Sequence, residues 1–140
     1  MLEKVDHIGI AVNDLNKIKE FYKKIFEIHY SYEEELRDNK VKVVVFKVGE
    51  SNIEYLEPLT DDSPIKKFLE TRGEGIHHIA FKVNNLEEKL RILKEKGVNL
   101  IDEKPRFGSH NKKIAFIHPK STFGVLIELV EGEWKNFYYS

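Results

Sequence analysis

The 140-residue chain contains no cysteine, which excludes both a disulfide framework and a metal site built from thiolates. Any bound metal ion would need nitrogen and oxygen ligands from His, Asp or Glu. The chain also lacks an apolar run near the roughly 18 residues of a transmembrane helix. Its first residues are strand-like rather than typical of a secretion signal. We therefore expect a cytoplasmic protein with no membrane partner.

An excess of one charge is absent too, since 23 Lys and Arg residues nearly balance 24 Asp and Glu residues. The basic residues are spread along the chain, which does not suit a protein that binds nucleic-acid phosphates. With 41% hydrophobic and 34% charged residues, the composition is typical of a globular protein. The length allows one domain with its own core. The sequence predicts a single domain, residues 1–140, that binds no nucleic acid.

The chain does contain an internal repeat. Segment 6–15, DHIGIAVNDL, aligns without a gap with segment 77–86, HHIAFKVNNL, and each leads into a helical pattern of apolar residues. Further extended segments are predicted in both copies, at 27–36, 41–48 and 52–57 in the first and at 98–103, 112–117 and 124–131 in the second. Each copy therefore predicts one strand, one helix and three more strands.

The repeat defines two modules, at about 1–60 and about 74–132, followed by a tail at 133–140. A helix at about 61–73 connects them, with Ser63 as its cap and Pro64 in its first turn. Neither module can bury its sheet alone, so the two sheets are expected to combine. The predicted fold is α+β, with two tandem β-α-β-β-β modules forming an open eight-stranded cavity and the helices outside.

Four ionisable residues occupy matching positions in the two copies. His7 and His78 lie in the first strand of each copy, beside small residues on the same strand face. In the last strands, NIEYLE pairs with LIELVE, which matches Glu54 with Glu128. A carboxylate among large apolar residues requires a partner, because burial of an isolated charge is strongly unfavourable. The four residues predict one divalent ion, for which Co²⁺, Mn²⁺, Ni²⁺ and Zn²⁺ are candidates.

The remaining histidines lack this twofold pattern. His29 and His110 are predicted to be solvated, His118 to lie in a turn, and His77 to face away from its neighbour His78. The loop at 105–113 contains Gly and Lys residues. It is a candidate for binding phosphates or for no function at all.

Four motifs resemble those of the methylmalonyl-CoA epimerases, a family of the vicinal oxygen chelate superfamily, which also contains glyoxalase I. They are DHIGIAV at 6–12, GEGIHHIAF at 73–81, HPKS at 118–121 and GVLIEL at 124–129. The resemblance implies a cytoplasmic homodimer that interconverts the (R) and (S) forms of an acyl-CoA substrate, methylmalonyl-CoA. Proton abstraction α to the thioester would pass through a metal-stabilised enolate. The family's ligand pattern falls on the four residues already identified.

Two positions depart from the pattern of this family. Several epimerases have Gln at the position of Glu54, so the site would carry one more negative charge than theirs. Some bacterial epimerases are thought to use a Glu in the central strand of the first copy, where this chain has Val43. No base can be carried over to that position. Glu54 and Glu128, whose carboxylates could swing away from an ion, are the candidate proton-transfer groups.

Two other functions remain open from the sequence. A glyoxalase I-type isomerase acting on a thiol-conjugated 2-oxoaldehyde would need the same metal and a related enediolate. A non-catalytic ligand-binding module of the same fold would keep the cavity without needing an ion. Substrate turnover distinguishes the first alternative, and the metal content of the protein distinguishes the second.

Overall fold

The computed structural model describes residues 1–134, which divide into two compact units. The continuous unit comprises residues 8–77, and the split unit comprises residues 1–7 together with 78–134. Within the described residues, eight strands and three α-helices confirm the predicted α+β class. The strands β1 (Leu2–Ala11) and β5 (Gly75–Val83) each belong to both units, because β1 changes unit after His7 and β5 before His78.

The continuous unit contains two helices and three complete strands. These are α1 (Leu15–Phe21), which continues as a π-helical turn, β2 (Tyr32–Leu36), β3 (Val41–Val48), β4 (Ser51–Pro58) and α2 (Pro64–Arg72). The hydrogen-bonded strand order is β2-β3-β4-β1, and the pairs β2/β3 and β3/β4 are antiparallel. Helix α2 begins as predicted, since the Ser63 hydroxyl accepts a hydrogen bond from the Ile65 amide.

Alternation along β1 sends neighbouring side chains of the continuous unit to opposite faces. Ile10 packs in a cluster with Leu15 of α1, whereas Ala11 packs in a second cluster with Ile65 of α2. The helical pattern of apolar residues that follows segment 6–15 is only partly buried, since Ile25 in the π-helical turn is 55% exposed.

The split unit packs one helix on its strands. Besides parts of β1 and β5, it contains α3 (Leu86–Glu95), β6 (Arg106–Phe107), β7 (Lys113–Ile117) and β8 (Ile127–Glu131). The strand order is β1-β5-β8-β7-β6, with β8 parallel to β5 and antiparallel to β7. Apolar residues of α3 and the strands form its core, which comprises Val83, Leu86, Leu90, Ala115, Ile117 and Leu129.

The strand predicted at 98–103 is wrong. Only Leu100 forms a bridge there, with Ile117. The Asp102 carboxylate accepts a hydrogen bond of 2.9 Å from the Phe116 amide, so a side chain takes the place of a strand carbonyl. Pro105 follows and has no amide hydrogen to continue a ladder. The short strand β6 lies instead inside the segment predicted as a loop.

The module boundaries and the single-domain assignment remain predictions. Of the predicted tail at 133–140, residues 135–140 lie outside the described residues. None of the helices within residues 1–134 combines the length and apolarity that a transmembrane span requires.

Candidate metal centre

Three of the four predicted ligands converge in the split unit. His7 on β1 and His78 on β5 have their Nε2 atoms 3.0 Å apart. Oε1 of Glu128, on β8, lies 2.9 Å from Nε2 of His7 and 3.4 Å from Nε2 of His78. All three side chains are buried. Two ring nitrogens and one carboxylate oxygen thus form a compact group that could hold a metal ion.

The strand order explains why these residues meet. In the split unit β5 lies between β1 and β8, and its parallel register with β8 places Ala80 beside Glu128. Residues two apart on a strand project from the same face, so His78, Ala80 and Glu128 share one face. On the other side of β8, Phe116 pairs with Glu128 and sets its ring edge-on to His78, with centroids 5.6 Å apart.

The hydrogen bonding of His7 favours a cation in this group. Nδ1 of His7 donates to the Asp6 carboxylate at 2.7 Å. A neutral His7 then has a lone pair rather than a proton at Nε2, and this lone pair faces Oε1 of Glu128 at 2.9 Å. Two acceptors this close repel each other unless a proton or a cation lies between them. The donor set therefore fits a divalent cation.

The separations fit the same conclusion. Ligand atoms about 2.1 Å from an ion lie about 3.0 Å apart at right angles and about 3.4 Å apart at the tetrahedral angle. The observed separations of 2.9, 3.0 and 3.4 Å lie within about 0.1 Å of that range. Little side-chain movement would be needed for His7, His78 and Glu128 to bind one ion.

The electrostatics of the group keep its carboxylate ionised. When His7 is an imidazolium, its second proton lies between Nε2 and Oε1 of Glu128. Burial acts to raise the pKa of the Glu128 carboxyl, but the charge of this imidazolium and hydrogen bonds from His7 and His78 outweigh it and hold the pKa below its usual range. Glu128 is available as an anionic ligand at neutral pH.

Two buried residues beside His7 were not identified from the sequence. Asp6 accepts hydrogen bonds through Oδ2 from His7 and from the Lys112 ammonium, which lies 3.1 Å away. Burial acts to raise the pKa of Asp6, but the His7 hydrogen bond and the Lys112 charge outweigh it and lower the pKa. The adjacent Asp-His pair was the available signal for Asp6. Nothing local signalled Lys112.

The fourth predicted ligand, Glu54, belongs to the continuous unit. It lies on β4 opposite Val45 and is 4% exposed. The ligand group found within residues 1–134 does not include it, and its role as a ligand remains a prediction. In the same unit, Val43 is fully buried among apolar side chains. That position offers no group for proton transfer.

The other histidines follow the sequence prediction with one exception. His29 is exposed, and His118 begins the 3₁₀ turn Pro119–Ser121. His77 packs edge-on against Phe68 of α2, with ring centroids 5.0 Å apart. The prediction that His110 is solvated is wrong, because His110 is buried and its ring packs against Trp134.

Comparison with known proteins identifies the family. Residues 6–116 match the model of the glyoxalase/bleomycin resistance protein/dioxygenase superfamily. A Bacillus subtilis protein described as uncharacterized is 45% identical, and the match covers 93% of each chain. The human protein named methylmalonyl-CoA epimerase, mitochondrial, is 39% identical, over 91% of this chain and 73% of the human one.

A solved structure extends the likeness to three dimensions. It is described as methylmalonyl-CoA epimerase in complex with methylmalonyl-CoA and NH4+, and it is 36% identical to this chain with a TM-score of 0.90. The superposition covers 94% of this chain and 96% of that one. The predicted fold is therefore confirmed. The chain belongs to the glyoxalase/bleomycin resistance protein/dioxygenase superfamily and, within it, to the methylmalonyl-CoA epimerase family.

Proposed function

We propose that this chain is an isomerase that interconverts (R)- and (S)-methylmalonyl-CoA with a divalent ion held by His7, His78 and Glu128. The single observation that carries the proposal is the buried meeting of two imidazole nitrogens and one carboxylate oxygen within 3.4 Å of one another. Family membership supplies the substrate, since the human and Cereibacter sphaeroides proteins named as epimerases are 39% and 34% identical to this chain.

The reaction removes the proton between the two carbonyl groups of the substrate and returns one to the opposite face. An ion bound in this group would supply Lewis acidity, which stabilises negative charge as it develops on the substrate oxygens. The protein must exclude water and hold the proton that leaves. Burial of His7, His78 and Glu128 fits the first requirement.

The two glutamates are the proposed carriers of that proton. Glu128 can accept a proton if its carboxylate moves away from the ion and from His7, because both of these favour its ionised form in the ligand position. Glu54 is the candidate for the opposite face of the substrate and for the fourth ligand. Val43, at the position where some epimerases are thought to use a Glu, lies in an apolar cluster and offers no group for proton transfer.

The nitrogen and oxygen donors suit Co²⁺, Mn²⁺, Ni²⁺ or Zn²⁺. A second carboxylate at Glu54 would favour divalent ions by adding negative charge beside a neutral histidine pair. The homodimer and the cytoplasmic location remain predictions from the family resemblance.

The proposal is tested by hydrogen exchange. Purified protein is stripped of metal, loaded with Co²⁺ and incubated with (R)- or (S)-methylmalonyl-CoA in D₂O, and the α proton is followed by NMR. We expect exchange that EDTA abolishes and that renewed Co²⁺ restores. Bound Co²⁺ without exchange would refute the epimerase activity, and turnover of a thiol-conjugated 2-oxoaldehyde by the same sample would favour a glyoxalase-type isomerase.

A further inference from the structure

Behind His7 lies a buried ion pair that belongs wholly to the split unit. Asp6 is 1% exposed and Lys112 is 4% exposed, and the Lys112 ammonium lies 3.1 Å from Oδ2 of Asp6. The same Oδ2 accepts the Nδ1 hydrogen of His7 at 2.7 Å. One carboxylate oxygen therefore joins a buried cation to a proposed ligand.

The chain around Lys112 is built to bring its side chain inward. His110 and Asn111, which precede it, both have left-handed backbone angles, with φ of 59° and 55°. Such conformations are uncommon for residues other than glycine and persist where the surrounding structure holds them. The Gly108 amide donates to the Lys112 carbonyl at 2.9 Å, which closes the turn.

A glycine leaves room for the Lys112 side chain. Gly132 has a φ of 131°, and a Cβ atom at this position would lie 3.0 Å from Cγ of Lys112. The ammonium group also lies 3.4 Å from the centroid of the Trp134 ring, whose face attracts a cation. The Lys112 side chain is therefore enclosed, so Lys112 does not take part in the phosphate binding considered for the 105–113 loop.

A buried ion pair is a poor way to gain stability, because an apolar pair of similar volume is often as stable or more so. Its position against His7 suggests a different use. Carboxylates that accept the second ring N–H of a ligating histidine fix its tautomer and its orientation. Here the carboxylate that does so is itself held by Lys112.

We infer that Lys112 is a positioning residue for the metal centre. By holding Asp6, it keeps the Nδ1 hydrogen of His7 engaged and directs Nε2 of His7 toward the ion. The inference rests on the proposed function, which places a divalent ion at His7, His78 and Glu128. It adds a residue from the far end of the chain, 106 positions from Asp6.

The test measures Co²⁺ affinity by competition with a chelator in the wild type, Lys112→Met, Lys112→Arg and Lys113→Met. Lys113→Met is the matched control, since Lys113 is adjacent and exposed. We expect Lys112→Met to weaken binding about 10- to 100-fold, the usual cost of losing an outer partner of a metal ligand. Lys112→Arg should recover part of the loss, and Lys113→Met should stay within about twofold of wild type.

A second measurement distinguishes positioning from general support of the fold. Long-range ¹H–¹⁵N NMR spectra of the metal-free wild type, recorded at a pH at which His7 is neutral, report which nitrogen of His7 carries the hydrogen. We expect the Nδ1–H form in the wild type and a mixture of forms in Lys112→Met. The Nε2–H form in the wild type would overturn the inference even if Lys112→Met failed to fold.

The remaining outcomes separate the two proposals. Lys112→Met that binds Co²⁺ within twofold of wild type would overturn the positioning role and leave the epimerase proposal standing. A wild type that binds no Co²⁺ would overturn the metal centre and the positioning role together.

Discussion

Replacing Glu128 by Gln tests the candidate metal centre most directly. The substitution keeps the shape of the side chain and removes its negative charge. Oε1 of Glu128 is the atom that lies 2.9 Å from Nε2 of His7 and 3.4 Å from Nε2 of His78. Of the four proposed ligands only Glu54 and Glu128 carry charge, so the substitution halves the charge that neutralises a divalent ion.

The expected loss of affinity follows from this geometry. Loss of a residue that hydrogen-bonds a metal ligand, without binding the ion itself, costs roughly 10- to 100-fold in metal affinity. Loss of a charged direct ligand should exceed the upper value, so we expect Glu128→Gln to weaken Co²⁺ binding by at least about 100-fold, or about 2.7 kcal/mol. Chelator competition measures the change. Glu87→Gln is the control, because it removes the same charge from an exposed position on α3 of the same unit.

The result also distinguishes the two proposed roles of Glu128. Unchanged Co²⁺ affinity in Glu128→Gln would refute the role of Glu128 as a ligand. It would also refute the inference that a cation lies between Nε2 of His7 and Oε1 of Glu128. Weaker binding with a wild-type rate of α-proton exchange at saturating Co²⁺ would instead keep the ligand role and exclude Glu128 as a proton carrier. Circular dichroism of both variants checks that the fold is retained.

Three further predictions concern the rest of the chain. Glu54→Gln should lower Co²⁺ affinity and change the preference among Co²⁺, Mn²⁺ and Zn²⁺ while epimerisation persists. If the variant bound all three ions with the wild-type affinities, Glu54 would not be a ligand. Leu90→Ala should lower the free energy of unfolding in urea by about 2–5 kcal/mol, because Leu90 is 1% exposed in the core of the split unit; a loss below about 1 kcal/mol would contradict that packing. Burial acts to raise the pKa of Glu33, but its hydrogen bonds with Lys19 and Lys42 outweigh it, so the folded pKa lies below 4.5. Glu33 therefore adds stability at pH values above its ordinary pKa, and this stability is lost as the pH falls through the folded pKa. Glu33→Gln should remove up to about 1 kcal/mol of unfolding free energy at neutral pH and none in strong acid. Urea unfolding at a series of pH values would measure this difference.

Local signals predicted those elements that local interactions determine. The strand at 41–48 matches β3 residue for residue, and the pair Ser63-Pro64 marks the start of α2. The strand predicted at 98–103 was wrong because a contact with a residue of β7 replaces a strand hydrogen bond there. The Asp102 side chain engages the Phe116 amide, and sequence alternation carries no information about that contact.

The same distinction applies to the candidate site. His7, His78 and Glu128 could be found because the repeat shows related residues at matching positions in both copies. Asp6 and Lys112 could not be found in this way, since the second copy has His77 where the first has Asp6. The contact between Asp6 and Lys112 also spans 106 residues and leaves no periodic trace. The ligand residues that recur in both copies could therefore be predicted from the sequence, whereas the unrepeated ion pair of Asp6 and Lys112 could not.

The change of unit within β1 has a consequence for the evolution of the chain. His7 is encoded in the first copy, yet it lies in the unit that combines residues 1–7 with residues 78–134. A fragment limited to the second copy would contain His78 and Glu128 without His7. The ligand group therefore draws on both copies, since the first supplies His7 and the second supplies His78 and Glu128. Selection for metal binding would then act on the pair of copies and keep them joined in one gene.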